Sequence, residues 1–289
     1  MAQILESRAY CGKIIYGDKH FHFGAALPED AFAIAKLYSS IAIAKHNYLE
    51  KLTPGPMDFS CTGGMFAIHS EQSILTEMDS GKSLFAMVRD ECGEPASLLW
   101  VSTEDPGFDL FLKSRTQLPG AEHACRQLHK AAVRGTLIFT REIIVAPQSP
   151  PCMAKLLLYT VFSTMNSLGY THTPIEVYKA LSYREGDREH EVMMRNDRSF
   201  HLALRTGAQF LGLNSLREIT LQEVPVTVLI EPQMLCFDFV QTLPKLKDSL
   251  KGLGAYIVFD NDTICFNGGT SWSPAGMEHP SEGAYSVRF

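Results

Sequence analysis

The chain has 289 residues, of which 45% are apolar, and carries a net charge of −6. That length holds one large domain or one domain with an appendage, and the apolar share supports a full core rather than a disordered chain. The acidic balance, with no Lys/Arg block longer than two, argues against a general nucleic-acid or anionic-membrane binder. No apolar run approaches the roughly 18 residues of a membrane span, and residues 1–13 lack the basic start and apolar segment of a secretory leader. Seven cysteines (Cys11, Cys61, Cys92, Cys125, Cys152, Cys236 and Cys265) lie scattered without a CxxC. That pattern predicts reduced thiols, a cytoplasmic chain and no zinc.

Residues 1–20 read as an irregular or β-like leader, and Phe21 to Ala26 as a short strand. Leu27-Pro28-Glu29-Asp30 opens a helix over Ala31 to Leu52, whose apolar spacing (Phe32, Ile34, Ala35, Leu37, Tyr38, Ile41) is amphipathic. Pro54-Gly55-Pro56 ends it. A second helix is predicted over His69 to Met78. A hairpin follows, with strands Ser83–Arg89 and Ala96–Ser102 around the turn at Asp90–Glu94. Residues 103–134 form an insert with one helix, Ala121 to Ala131.

Next comes GTLIFTREIIVAPQSPPCMAKLLLYTVFSTMNSLGY, from Gly135 to Tyr170. A β-rich run to Val145 meets a Pro-rich turn and an apolar helix over Cys152–Leu168. Strand, tight turn and helix in this order place unpaired N–H groups and a partial positive charge where an anion can sit. Pro174–Leu181 reads as a strand and Ser182–Arg195 as a charged loop or frayed helix. Asn196 caps a helix to Thr206, and Gly207 ends it. A strand over Val224–Ile230, a helix over Leu243–Leu253 and strands at 255–259 and 263–266 complete the order. The tail 267–289 is rich in Gly, Pro and Ser.

The expected fold is α/β, a central mixed sheet flanked by helices. Its element order resembles the GNAT superfamily, whose members move acyl groups from coenzyme A thioesters, usually to amines. The residues that carry the resemblance are Leu27–Tyr38, the hairpin 83–102, Ile143-Ile144-Val145-Ala146-Pro147 as the family's V-x-P strand end, and Asn196–Gly212 as its N-x-x-A helix and glycine. The resemblance covers about residues 20–230. It implies a GNAT-like domain over 1–230 with its insert at 103–134, and an α-β-β extension over 231–289 packed on the same domain.

The resemblance also implies an acetyl-CoA or other acyl-CoA co-substrate and no metal. Backbone groups of Ile143, Ile144 and Val145 would pair with the pantetheine arm. Gln148, Cys152, Met153, Ala154 and Lys155 would hold the pyrophosphate, and Asn196 would lie beside it. The turn departs from the family's Arg/Gln-x-x-Gly-x-Gly/Ala pattern: Pro150, Met153 and Lys155 stand at the Arg/Gln and the two glycine positions. Proline donates no N–H, and Met153 adds a Cβ where the backbone would approach a phosphate.

Aminolysis of a thioester needs a neutral amine, a polarised carbonyl and a proton for the leaving thiolate. Glu142, on the strand before V-x-P, matches the family's general base; the plain alternative is a solvated or Arg-paired strand residue. Alternation points its neighbour Arg141 to the opposite face. The family's Tyr acid falls at Ala203, which leaves Ser199 or His201 as substitutes, although His201 also fits an ordinary surface histidine. Cys152 at a helix N-terminus is a candidate thiolate, with a small buried thiol as the ordinary reading. The charged run Tyr183–Glu191 would border the acceptor end or be merely solvated. His20 and His22 share a strand face, too few ligands for a metal.

The predicted function is acyl transfer from a coenzyme A thioester to a small-molecule or peptide amine. Two alternatives stay open. One is a GNAT-like binding or regulatory module without turnover. The other uses an acyl-carrier protein as donor, docked on Lys113, Arg115, Arg126, Lys130 and Arg134. A homodimer is compatible with the sequence; nucleic-acid and membrane partners are not expected.

Overall fold

The computed structural model describes residues 11–41, 69–113, 118–220, 226–259, 277–278 and 285–288. The described residues open on a hairpin, β1 (Cys11–Tyr16) and β2 (Lys19–Ala25), the β form of the two expected for this leader. Its apolar residues alternate: Ile14, Phe21 and Phe23 are buried while His20 and His22 face solvent. A short 3-10 turn at Pro28–Asp30 leads into α1 (Ala31–Ile41). The remainder of the helix expected to Leu52, like the Gly63-Gly64 pair, lies outside the described residues.

Helix α2 (Glu71–Asp79) is capped by the Ser70 hydroxyl, which accepts from the Ser73 N–H. The hairpin β3 (Ser83–Arg89) and β4 (Pro95–Ser102) pairs in antiparallel register, Phe85 opposite Trp100. The insert holds two helices, α3 (Pro106–Lys113) and α4 (Glu122–Val133), where one was expected. Strand β5 (Phe139–Val145) and helix α5 (Met153–Ser167) follow as predicted.

The expected charged loop at 182–195 is instead a long hairpin. Strand β6 (His172–Glu185) turns at Gly186, in the left-handed region at φ +57°, into β7 (Arg188–Arg195). Near the turn opposite charges stand at facing positions, Arg184 opposite Glu189 and Glu185 opposite Arg188; Ser182 donates to Glu189, and the Tyr183 and His190 rings stack at 4.6 Å. Counting charged residues suggests a loop, but opposite signs at facing positions make a strand pair. Helix α6 (Asp197–Arg205) is capped by the Asn196 side chain, which accepts from the Ser199 N–H. Strands β8 (Gln209–Leu213) and β9 (Arg217–Thr220) precede the long β10 (Val226–Asp238), which leads directly into α7 (Phe239–Leu250) and β11 (Ala255–Phe259). Position 231, where the extension was expected to begin, falls inside β10. The expected strand 263–266 lies outside the described residues. Short strands β12 (Met277–Glu278) and β13 (Tyr285–Arg288) continue the sheet beyond β11.

The sheet order is β12-β13-β11-β1-β2-β3-β4-β5-β6-β10-β8, with β7 added to β6 and β9 to β10. The sheet is mixed because β5 and β6 run parallel and the other pairs antiparallel. Helices α5 and α7 cover one face, over Leu99, Val101, Val177, Leu235 and Phe237. The other face carries two separate clusters. One packs α1 and α2 on Phe85, Met87, Leu98, Trp100 and Ile144; the other packs α3 and α4 on Leu137, Phe139, Met234 and Cys236. No helix among the described residues is long and apolar enough to cross a membrane.

Candidate active site

Strands β5 and β6 start together and then part. Their parallel ladder consists of Thr140 opposite Ile175, with a bridge between Leu137 and His172 below it. The closed end is fastened by the buried Thr140–Thr173 hydroxyl pair at 2.9 Å. Beyond Thr140 the strand β5 continues to Val145 paired with β4 alone. On β6 the matching edge is short, because β7 takes it up from Lys179 onward and the Asn196 N–H donates to the Tyr178 carbonyl.

Alternation decides which backbone groups face the gap. The Ala146 N–H donates to the Ala96 carbonyl, so the polar groups of Ala146, Ile144 and Glu142 point at β4. Those of Ile143 and Val145 therefore point to the other edge. Of the three residues expected along a pantetheine arm, Ile143 and Val145 offer backbone to the gap. Ile144 turns its polar groups to β4 and its side chain, 1% exposed, into the core beneath α1 and α2.

The register of β4 and β5 shifts between Trp100 and Val101: Trp100 faces Glu142, Val101 faces Thr140, and Arg141 is the extra residue of a bulge. Simple alternation put Arg141 on the face opposite Glu142. The bulge instead swings its guanidinium over the Trp100 ring, 5.7 Å from the centroid, where it donates to Asp105 at 3.0 Å. Bulges often re-aim side chains beside active sites.

Glu142 is neither solvated nor paired with Arg141. Its Oε2 accepts a short hydrogen bond from the Tyr38 hydroxyl, and its Oε1 lies 3.1 Å from Nε2 of His69. Tyr38 is fully buried on α1. Burial first, and then the charge and hydrogen bond of Glu142, hold its phenol well above its ordinary value, so it stays a donor. The His69 ring stands edge-on between Tyr38 (4.7 Å) and Trp100 (5.3 Å). The Trp100 indole N–H is buried and has no acceptor among the described residues. Neither Tyr38 nor His69 was singled out from sequence for chemistry: Tyr38 matched a core position of α1, and His69 lies 73 residues from Glu142 with no motif joining them.

A second polar group lies on the same face at β6. Arg217 grips Glu176 with two hydrogen bonds of 2.8 and 2.7 Å, and Asn214 donates both to Glu176 and to the Gly107 carbonyl. Tyr178, two residues on, is raised far above its ordinary value by burial first and then by Glu176, with Glu142 adding to the rise and Arg217 and Arg141 opposing it. The α6 positions weighed for the acid are of other kinds: Ala203 is buried, His201 is exposed, and the Ser199 amide is occupied by the Asn196 cap.

At the expected anion-binding turn, Gln148 is exposed. The Met153 N–H donates to the Pro150 carbonyl, and the N–H groups of Lys155 and Leu156 donate to that of Cys152. Met153 itself is buried in the core. The Lys155 ammonium lies 3.5 Å from the Ser249 carbonyl, near the C-terminus of α7. Cys152 is buried; burial raises its thiol above its ordinary value against the opposing pull of its own amide, Lys155 and Tyr16, which disfavours a nucleophilic thiolate. Of the cations considered for carrier docking, Lys113, Arg126, Lys130 and Arg134 are exposed on or just past α3 and α4, and Arg115 lies outside the described residues. No group of three or more His, Cys, Asp or Glu residues that could hold a metal occurs among the described residues.

No family model matches the sequence, and no curated protein matches it. Solved structures similar to it include an acetyltransferase of the GNAT family from Listeria monocytogenes, 14% identical over 76% of this chain and 99% of that one, with a TM-score of 0.43. Another is an N-acetyltransferase from Staphylococcus aureus, 12% identical over 76% of this chain and 98% of that one, TM-score 0.43. A third is RimJ from Mycobacterium smegmatis in complex with CoA-disulfide, 12% identical over 83% of this chain and 93% of that one, TM-score 0.43.

Proposed function

We propose that the protein is a GNAT-type acyltransferase that moves an acyl group from a coenzyme A thioester to an amine. The observation that carries this reading is the fork between β5 and β6, with Glu142 one turn of the pleat from its mouth. An extended, amide-bearing arm entering the fork would meet the outward backbone groups of Ile143 and Val145 as an added strand does. The thioester end of such an arm would then lie near Glu142, the residue on which removal of the amine proton depends.

The pyrophosphate would lie at the N-terminus of α5. With the Met153 and Lys155 amides committed to the turn and the Cys152 amide drawn to its own thiol, the donors there would be the Ala154 N–H and the exposed Gln148 side chain. This is a weaker cradle than a glycine-rich loop, and weaker binding of free coenzyme A is expected from it. Asn196 bounds the fork from the β6 side through its backbone, its side chain being spent on the cap.

Isothermal titration with acetyl-CoA and longer acyl-CoA thioesters, followed by thiol release in the presence of an amine panel, tests the reading. Heat of binding and release above the buffer rate are expected. Glu142→Gln should lower turnover by roughly 10²–10⁴-fold, the usual scale of impaired proton transfer, with affinity for coenzyme A nearly unchanged. Absence of binding at millimolar ligand would sink the proposal.

A further inference from the structure

Both oxygens of Glu142 are already engaged, one by Tyr38 and one by His69. An ionised carboxylate only accepts hydrogen bonds, so a ring nitrogen 3.1 Å from Oε1 must be the one that carries hydrogen. In the neutral imidazole this places the hydrogen on Nε2 and leaves a bare lone pair on Nδ1. Nδ1 has no partner among the described residues. Edge-on packing between Tyr38 and Trp100 leaves the ring little freedom to turn, and the His69 side chain keeps 23% of its surface exposed. A base held by an orienting acid, itself held by a buried donor, is the arrangement that proton-transfer sites use.

We propose that His69 is the proton acceptor of this site, working through Nδ1, and that Glu142 is its positioning residue, with Tyr38 fixing Glu142 in turn. The inference rests on the acyl-transfer reading above and assigns its proton path. The amine nitrogen bonds to the thioester carbonyl carbon, and one N–H proton passes to Nδ1 while Glu142 stabilises the resulting imidazolium. The tetrahedral species collapses with loss of the C–S bond. The thiolate leaves with that electron pair and takes a proton from water, and His69 returns its extra proton to solvent through its exposed side, so amine and thioester give amide and thiol.

Nitrogen-15 NMR of the whole chain, with the His69 signals identified by their loss in His69→Gln, tests the pair without any turnover. The expected result is Nε2 protonated and Nδ1 bare at neutral to mildly alkaline pH, shifting to a mixture of tautomers in Glu142→Gln. Hydrogen on Nδ1 in the unsubstituted protein would overturn the proposal. In thiol-release assays His69→Gln should lose at least about 100-fold in turnover with coenzyme A affinity retained, and added imidazole should restore part of the activity of His69→Ala. A loss below threefold, or no rescue in an Ala variant that still binds coenzyme A, would equally overturn it. If the unsubstituted protein releases no thiol from any acyl-CoA, the acyl-transfer reading falls, and the tautomer measurement alone decides whether Glu142 and His69 form the pair.

Discussion

Tyr38 and His172 give the protein opposite sensitivities to pH. Tyr38 is held well above its ordinary value by burial and by Glu142. Its contribution to stability is complete below the pH at which an unfolded tyrosine ionises, about 10, and is lost as pH climbs toward its folded value. Tyr38→Phe should therefore flatten the alkaline fall in melting temperature, at the cost of a Glu142 that has lost one of its two donors. His172 is lowered by burial, with Asp238 at 4.0 Å pulling the other way. Its share of stability is present above the unfolded value of about 6.5 and is lost as pH falls through the lower folded value. Thermal melts between pH 7 and 5 should show a decline that His172→Gln reduces. Equal slopes in both proteins would remove His172 as its source.

At the scale of elements, the Glu176–Arg217 pair ties β6 to β9, and Asn214 extends the tie to the first turn of α3. Glu176 keeps only 10% of its side-chain surface in water. Arg217→Met strands a nearly buried carboxylate, a class of change that costs about 3–5 kcal/mol when both partners are buried and less here because Arg217 is a third exposed. A loss of roughly 2 kcal/mol in urea unfolding is expected, with a smaller loss in Arg217→Lys. Asn196→Ala removes the α6 cap and should cost about 1 kcal/mol in the same assay. The V-x-P strand, the Pro-rich turn and the α5 helix were legible because apolar runs and prolines mark their ends locally. The β6–β7 hairpin and the bulge at Arg141 were not. Both depend on which residue stands opposite across a strand pair, and composition along one strand does not contain that. The same limit explains why Glu142 could be proposed from its place on a strand while His69, its partner, could not.

For the whole molecule, the part of the chain after β10 packs into the same core and sheet. Helix α7 buries Phe239, Leu243, Leu246 and Leu250 in the core that α5 occupies, and β11 pairs with β1 in register from Gly12–Phe259 to Tyr16–Ala255. A chain ending at Asp238 should be insoluble or show no cooperative melt, because α5 and the α7-facing side of the sheet would expose a broad apolar surface. A soluble, cooperatively melting fragment would show that the core stands without α7 and β11. The division expected at 230 came from reading β10 as a strand that stopped at Ile230. The run continues apolar through Met234, Leu235, Cys236 and Phe237, and Glu231 and Pro232 within it are accommodated on the long β6–β10 ladder.

Gly12 makes the junction of β1 and β11 intolerant of change: a Cβ there would lie 2.1 Å from the Val258 carbonyl oxygen and 2.6 Å from the Phe23 ring. This close fit joins strands that are far apart in the order of synthesis. β11 begins 239 residues after β1 ends (255 − 16). At about 5–20 residues per second, a ribosome takes on the order of 10–50 s to deliver the partner of a strand it made first. During that interval the outer edge of β1 is an unpaired template, open to other chains. Slowed translation or a stall before residue 255 should thus raise aggregation of this protein more than of one whose first strand finds its neighbours on both sides early.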